Sequence, residues 1–463
     1  MRHPATPFPE PAATPTATPT PAPTPTPTPT PTVASPVTHP DLTERIAEVL
    51  ADETLPSDER LAVSVVDERG HPLFSQHAEQ PLLPASTLKL VTAAAALTAF
   101  DPEHRFRTEV RATAAPGDDG VLDGDLVLVG SGDPALATDT FAAQVNPQRP
   151  RTRLEDLADA VADAGIRVVR GRVLGDGTVF SAQPQAEGWP ERYLQRGDTV
   201  LSAGLTVNAG RRLIARNGVW YSEPAPNPAS EAAAALSILL ARRDVVVEGG
   251  TASAAEPVAA EHHVASVDSP PLHELLRYTV QRSDNHLADT VFRALGSGTG
   301  DGSWASADRA ARDLLAGLEL DWDGAVLADG SGLSRHDRLT AGYLTSLDVA
   351  MTSSDVGPLW QDLMAVSSRS GTLRRRLGGT VAEGRLLGKT GSLRDVRSLS
   401  GMVLGPDERR YHFAVLGNDL TGAELAAVRA LQDRLVLVLA EDLYGCVEVA
   451  TGSEDEHELE CAA

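Results

Sequence analysis

Regular apolar patterning starts after residue 40 and changes period twice along the chain. Residues 41–51 read as a helix. A hairpin follows, with one strand over 61–66, a turn over 67–70 and a return through Pro72 to His77. Pro84-Ala85-Ser86 then launches an Ala/Leu-rich helix that runs to about Phe100. From 104 to 264 short strands (126–129, 166–174 and 244–247) alternate with helices (154–164 and 230–242), the pattern of an inserted α/β module. After it come helix, polar loop and helix across 271–295, a Gly-rich turn over 329–332, strands over 397–404 and 411–416, and a long amphipathic helix over 423–443.

The two ends look different. Residues 1 to about 40 are dominated by Thr-Pro repeats, which cannot donate helix or ladder hydrogen bonds and favour extended polyproline II, the habit of a stalk. The stretch from Glu454 is acidic and reads as a solvated tail. Neither a signal peptide nor a span of about 18 apolar residues is visible.

Charge removes whole classes of function. With 40 basic against 64 acidic residues, the net charge of -24 argues against nucleic acid and anionic lipid as partners. The basic residues are almost all arginine, and the two lysines are Lys89 and Lys389. Lysine kept at two positions in such a background suggests a need that guanidinium cannot meet, such as losing a proton near neutral pH. Cys446 and Cys461 show no CxxC or metal spacing, so their pairing stays open, and the twelve histidines carry no metal motif. No metal and no cofactor is expected.

Three short motifs remain. Ser86 and Lys89 stand at i and i+3 on the first turn of a helix, so their heads can meet where the helix N-terminus favours developing negative charge. Alone this pair is no more than surface decoration. Ser283-Asp284-Asn285 interrupts two helices and reads equally as an N-cap cluster or as a hydroxyl beside a neutral amide that can relay a proton. Lys389-Thr390-Gly391-Ser392 precedes a β-like run. It is either a strand-entry turn or a second cation beside a glycine that lets a ligand approach the backbone.

In the order S-x-x-K, S-D-N, K-T-G, and with both lysines consumed, the trio is a strong signal for penicillin-recognising serine enzymes. The chain resembles class C low-molecular-mass penicillin-binding proteins, the D-alanyl-D-alanine carboxypeptidase/endopeptidase family S13, over about 41–447. Further segments carry the likeness: Leu128-Val-Gly-Ser-Gly-Asp-Pro134, Asp329-Gly-Ser-Gly-Leu-Ser-Arg335, and Ser370-Gly-Thr-Leu-Arg-Arg-Arg-Leu377 ahead of the third motif. The 197 positions between Ser86 and Ser283 leave room for the inserted domain typical of that family; a second, nested insertion stays open.

The resemblance implies an α/β multi-domain fold: a transpeptidase-like, β-lactamase-like α+β domain, with an antiparallel sheet flanked by helices and a helical subdomain, interrupted by an inserted α/β domain. The divisions are a disordered stalk (1–40), the N-terminal segment of the catalytic domain (41–103), the insert (104–264), the C-terminal segment of the catalytic domain (265–447) and a disordered tail (448–463). It further implies that Ser86 attacks the penultimate D-Ala carbonyl of a peptidoglycan stem peptide with Lys89 as general base, and that the leaving D-Ala is protonated through Ser283. The oxyanion would sit between the amides of Ser86 and Ser392, with Lys389, Thr390 and Ser392 on the terminal carboxylate, Gly391 giving close approach and Asn285 on the substrate amide. Ser392 stands where the family commonly has Thr and keeps the hydroxyl. Arg335 would clamp a diamino-acid carboxylate with Asp176 facing its amine, while Asp329 and Asp133 cap their own turns. β-Lactams would acylate Ser86, and the enzyme would work outside the cytoplasm. A β-lactamase or esterase on the same trio, and a non-hydrolytic β-lactam or muropeptide sensor, are the competing readings. The oligomeric state stays open.

Overall fold

The computed structural model describes residues 41–298, 300–450 and 457–461. The Thr/Pro stretch expected as a stalk lies outside them. A six-stranded antiparallel sheet runs in the order Ala365–Val366, Leu386–Leu393, Val396–Leu404, Arg410–Gly417, Leu61–Val66 and Pro72–Gln76. The expected N-terminal hairpin thus joins the C-terminal strands, with Leu61 opposite Gly417 and Val66 opposite His412.

All six residues of Leu61–Val66 are buried because both faces are covered. Side chains alternate along a strand. Leu61, Val63 and Val65 therefore pack with Ile46 of the first helix, Leu42–Leu50, and with Leu435 and Leu439 of the C-terminal helix, Gly422–Leu443. On the other face Ala62 packs with Leu347 and Met351 of the helix Ala341–Ser353, and Ser64 Oγ meets Thr345 Oγ1 at 3.0 Å.

Beyond that face lies a helical layer centred on Lys89–Ala99, whose residues from Lys89 to Leu97 are all buried. A helix apolar on all sides belongs inside a protein, and its alanines let neighbours approach. It packs against Leu272–Arg282, Asn285–Ser297 and Trp304–Leu315.

The module expected over 104–264 enters on strand Arg107–Ala112 and leaves on His262–Asp268, which pair antiparallel from Arg107 opposite Asp268. Entry and exit lie side by side, so the insert interrupts its host at one point only. Its sheet runs Thr251–Ser253, Val173–Asp176, Leu126–Val129, Arg107–Ala112, His262–Asp268, the first three parallel. Helices Leu154–Asp163 and Pro228–Ala241 share its core through Leu157, Val161, Leu236 and Leu240, separate from the core around Lys89–Ala99. The single strand expected over 166–174 is two, Val168–Val169 and Val173–Asp176. At the break Gly171 runs so close to Gly124 that an added Cβ would lie 2.4 Å from its carbonyl oxygen.

The expected disordered tail is corrected for its described residues. Cys446 and Cys461 form a disulfide, and Val447–Ala450 pairs antiparallel with His457–Glu460.

One buried polar contact ties the helical layer to the sheet. Asp348 accepts from Trp360 Nε1 at 2.7 Å and lies 2.8 Å from His412 Nδ1, with Asp348 and His412 each 1% exposed. Removing one partner of a buried pair typically costs about 3–5 kcal/mol. Asp348→Ala is expected to destabilise the fold by that order, read as a lowered thermal midpoint, and an unchanged midpoint would show that the contact is not needed.

Candidate active site

The chain reaches Ser86 through Pro84 and through Ala85, which takes the left-handed φ of 47°. A 3-10 turn, Ala85–Leu88, then feeds the helix that starts at Lys89. Ser86 therefore sits one tight turn ahead of the α-helix. In 3-10 geometry side chains three apart eclipse, and Lys89 Nζ donates to Ser86 Oγ at 3.0 Å. Two glycines let other segments close on this turn. A Cβ on Gly332, whose φ is +81°, would fall 1.9 Å from Ala85 O, and one on Gly391 would fall 2.8 Å from Pro84 O and 3.0 Å from Ser86 N.

Lys89 is fully buried while Ser86 is partly open. Its amine also donates to Asn285 Oδ1 at 2.8 Å and Ser331 O at 2.5 Å. Burial pulls its pKa down to about 8, against the opposing pull of Asp289 and Asp329. Asp289 and Asp337 are themselves pushed well up, by burial first and then by the Asp329 charge. Asp329 caps its own turn, as the sequence suggests: its carboxylate accepts from the amides of Ser331, Gly332 and Ser334 and from Trp189 Nε1. That loop sets the position of Ser331 O. Asp133 likewise accepts from Ala135 N, and burial pushes it up to about 6.

The second motif lies between helices. Ser283 ends Leu272–Arg282 in the left-handed region, φ 60°, and its Oγ accepts from Lys389 Nζ at 3.0 Å. Asp284 caps the next helix by accepting from Leu287 N at 2.9 Å, so the N-cap reading and the placement of Ser283 and Asn285 hold together. Asn285 opens that helix and donates to Asp198 O at 3.0 Å. Lys389, fully buried, also donates to Thr390 O at 2.7 Å. Burial and the neighbouring Lys89 charge hold its pKa well below the usual lysine value.

Five residues picked from sequence thus come together in two adjoining sets of hydrogen bonds, Ser86, Lys89 and Asn285 in one and Ser283 and Lys389 in the other, with the two amines near enough for the Lys89 charge to act on Lys389. Thr390, Gly391 and Ser392 form the edge; Thr390 Oγ1 donates to Thr372 Oγ1 at 2.8 Å and Ser392 is exposed. Arg335 and Asp176 have other partners. Arg335 makes a two-pronged pair with Asp395 at 2.7 and 2.9 Å. Asp176 accepts from Thr178 N, Thr178 Oγ1 and Val258 N inside the insert.

Sequence reasoning missed what the insert contributes. Arg149 donates through Nε to Asp284 at 3.0 Å and through Nη1 to Pro134 O at 3.0 Å, while its Nη2 lies 3.1 Å from His286 Nδ1. Burial would raise Asp284, but Arg149 and the Leu287 N–H, with its other neighbours, together hold the carboxyl below its usual range. Burial, reinforced by Arg149, pushes His286 down to about 3. The ring is therefore neutral, accepts from Arg149 at Nδ1 and donates from Nε2 to Thr206 Oγ1 at 3.1 Å. Three insert residues, Arg149, Asp198 and Thr206, grip the loop that carries Ser283 and Asn285. Arg149→Ala is expected to lower kcat/KM up to about 100-fold through misplacement of that loop, with Arg149→Lys restoring some of it. Unchanged kcat/KM in both variants would contradict the grip.

The family model for the D-Ala-D-Ala carboxypeptidase 3 (S13) family matches residues 42–218 and 215–441. The D-alanyl-D-alanine carboxypeptidase of Actinomadura sp. (strain R39) is 30% identical over 473 residues, covering 87% of this chain and 85% of that one. Carboxypeptidase DacB of Mycolicibacterium smegmatis is 32% identical over 384 residues, 79% and 77% of the two chains. Among solved structures, penicillin binding protein 4 from Haemophilus influenzae superposes with a TM-score of 0.73 at 20% identity, over 86% of this chain and 99% of that one. Its complex with a β-lactam superposes with a TM-score of 0.67 at 21% identity, over the same shares. The fold is that of the penicillin-recognising peptidases, and the chain, a serine DD-peptidase, belongs to the D-Ala-D-Ala carboxypeptidase 3 (S13) family.

Proposed function

We propose that Ser86 is the nucleophile and Lys89 the general base of D-Ala-D-Ala carboxypeptidase and endopeptidase chemistry on peptidoglycan stem peptides. The observation that carries this reading is the 3.0 Å contact between Lys89 Nζ and Ser86 Oγ around a fully buried amine. When Lys89 is neutral the same contact reverses, and the Ser86 hydroxyl donates to the nitrogen lone pair. Ser86 Oγ then attacks the penultimate D-Ala carbonyl, and the oxyanion forms between the amides of Ser86 and Ser392. Collapse of the tetrahedral intermediate breaks the peptide C–N bond. Ser283, hydrogen-bonded to Lys389, passes a proton to the leaving amine, and water later cleaves the ester on Ser86. Asn285 holds the substrate amide, with Thr390 and Ser392 beside the terminal carboxylate.

Arg335 reaches a diamino-acid carboxylate only by exchanging Asp395 for it, and Asp176 reaches the amine only by releasing Thr178 or Val258. The proposal therefore rests on the five clustered residues. β-Lactams, which the relative from Haemophilus influenzae binds, take the place of the substrate and acylate Ser86. Residues 41–103 and 265–447 form the catalytic domain and 104–264 the insert. Peptidoglycan lies outside the cytoplasmic membrane, so the enzyme acts there. Among the described residues no helix is long and apolar enough to cross a membrane.

Intact mass spectrometry with penicillin tests the nucleophile. Wild type is expected to gain one persistent adduct and to release D-Ala from a stem peptide, and Ser86→Ala to do neither. An adduct without D-Ala release would favour a sensor, rapid penicillin turnover a β-lactamase, and no adduct on wild type would remove Ser86 from the reading. The pH profile tests the base. Protonated Lys89 cannot accept the hydroxyl proton, so kcat/KM is expected to rise with pH through an apparent pKa near 8. A profile that stays flat between about pH 6 and pH 9 would contradict it.

A further inference from the structure

In the insert, strands Arg211–Arg216 and Val219–Pro224 pair only with each other, from Arg211 opposite Pro224 to Arg216 opposite Val219. Asn217 and Gly218, at φ 51° and 78°, close them in a tight left-handed turn. No residue of either strand is buried. A lone hairpin is marginally stable in water, so one that buries nothing adds little to the fold. Side chains directly across an antiparallel pair share a face. One face therefore carries Arg211, Leu213, Ala215 and Trp220, the other Ile214, Arg216, Val219 and Tyr221. Trp220, 39% exposed, and Tyr221, 53% exposed, are the only aromatic rings among the exposed large apolar side chains of the described residues. Exposed apolar groups gathered in this way mark an interaction site. Segment 211–224 also holds three arginines and one glutamate, in a chain whose net charge is -24. Glu223 is taken up by Arg212, which leaves Arg211 and Arg216 without an ion pair among the described residues.

The hairpin is rooted at the active site. Arg211 lines a groove of about 260 Å³ with Asp198 and Asn285, and Phe141 and Val145 give that groove an apolar wall. Arg211 Nη2 donates to Gly197 O at 2.6 Å, next to the Asp198 carbonyl that holds Asn285. We infer that the face carrying Arg211 and Trp220 docks the glycan of the peptidoglycan polymer, with Trp220 stacked on a sugar ring. This rests on the reading of Ser86 as nucleophile, which puts the scissile bond beside Asn285. Ala215, opposite Trp220, lies four residues and so about 14 Å along the strand from Arg211. Four extended stem residues between the scissile carbonyl and the sugar span about 14 Å as well. A stem peptide that follows the groove and the strand thus brings its sugar to Trp220. The indole offers a flat apolar body with a polar N–H, which matches a sugar ring with C–H faces and a rim of hydroxyls. The surplus positive charge of the hairpin faces the carboxylates of the polymer. A second copy of the chain fits less well, because two such hairpins would bring like charges together.

The test follows co-sedimentation with insoluble peptidoglycan, and D-Ala release from that polymer and from a soluble N-acylated D-Ala-D-Ala peptide. Wild type is compared with Trp220→Ala, Trp220→Phe and Tyr221→Ala. Trp220→Ala is expected to lose about 10-fold in polymer binding and in release from polymer, and almost nothing on the soluble peptide, which also reports its folding. Trp220→Phe keeps a ring and is expected to keep most of both, and Tyr221→Ala, on the opposite face, to match wild type. Glycan strands freed of stem peptides are expected to compete with the polymer for wild type. Full polymer binding by Trp220→Ala, equal losses on both substrates, or no competition by the bare glycan would overturn the inference. So would a wild type that is dimeric in solution and a Trp220→Ala variant that is monomeric, since the face would then join two copies. A penicillin adduct on wild-type Ser86 with polymer binding undiminished in Trp220→Ala sinks this inference alone. No adduct on wild type sinks it together with the nucleophile reading.

Discussion

A lysine amine with no access to water organises this structure. Lys89 donates to neutral oxygens, those of Ser86, Asn285 and Ser331, and burial pushes the nearby carboxyls of Asp289 and Asp337 well above their usual range. An ammonium desolvated without an ionised partner at hydrogen-bond distance loses its proton readily. The consequence is a base poised near neutrality beside a serine hydroxyl, made chiefly by burial. Helix Lys89–Ala99 has to be apolar on every side for that burial, which accounts for its run of alanines and leucines.

The second cationic residue extends the same logic. Lys389 is equally buried, faces Ser283, and feels the charge of Lys89, so the two amines cannot both be protonated at small cost. Both positions call for an amine whose charge burial disfavours, which guanidinium does not supply, and that explains why a chain so rich in arginine retains lysine at two positions.

Most of the catalytic frame was legible from sequence because it is local. The hairpin around residue 70, the launch of a helix at Ser86 and the Asp329 turn each follow from residues within a few positions, and all three stand in the structure. The scarcity of lysine joined motifs hundreds of residues apart. Long-range pairing left no such trace. Arg149 grips Asp284 across 135 positions and Arg335 meets Asp395 across 60, and in an arginine-rich chain nothing local marks which guanidinium is committed to which acid. The break at Gly171 depends on an approach to Gly124 from another strand, and the Cys446–Cys461 closure on a fold-back of the acidic end. The insert was visible as a change of period, but its role as a clamp on Ser283-Asp284-Asn285 required its placement.

Two lysines in 463 residues make the central claim directly measurable. Selective 13Cε-lysine labelling should give two resonances, assigned with Lys89→Arg, and their shifts can be followed against pH in the folded enzyme. The account predicts that the Lys89 resonance titrates near 8 and that neither lysine titrates at the ordinary value near 10.5. Two resonances that both titrate near 10.5 would contradict it.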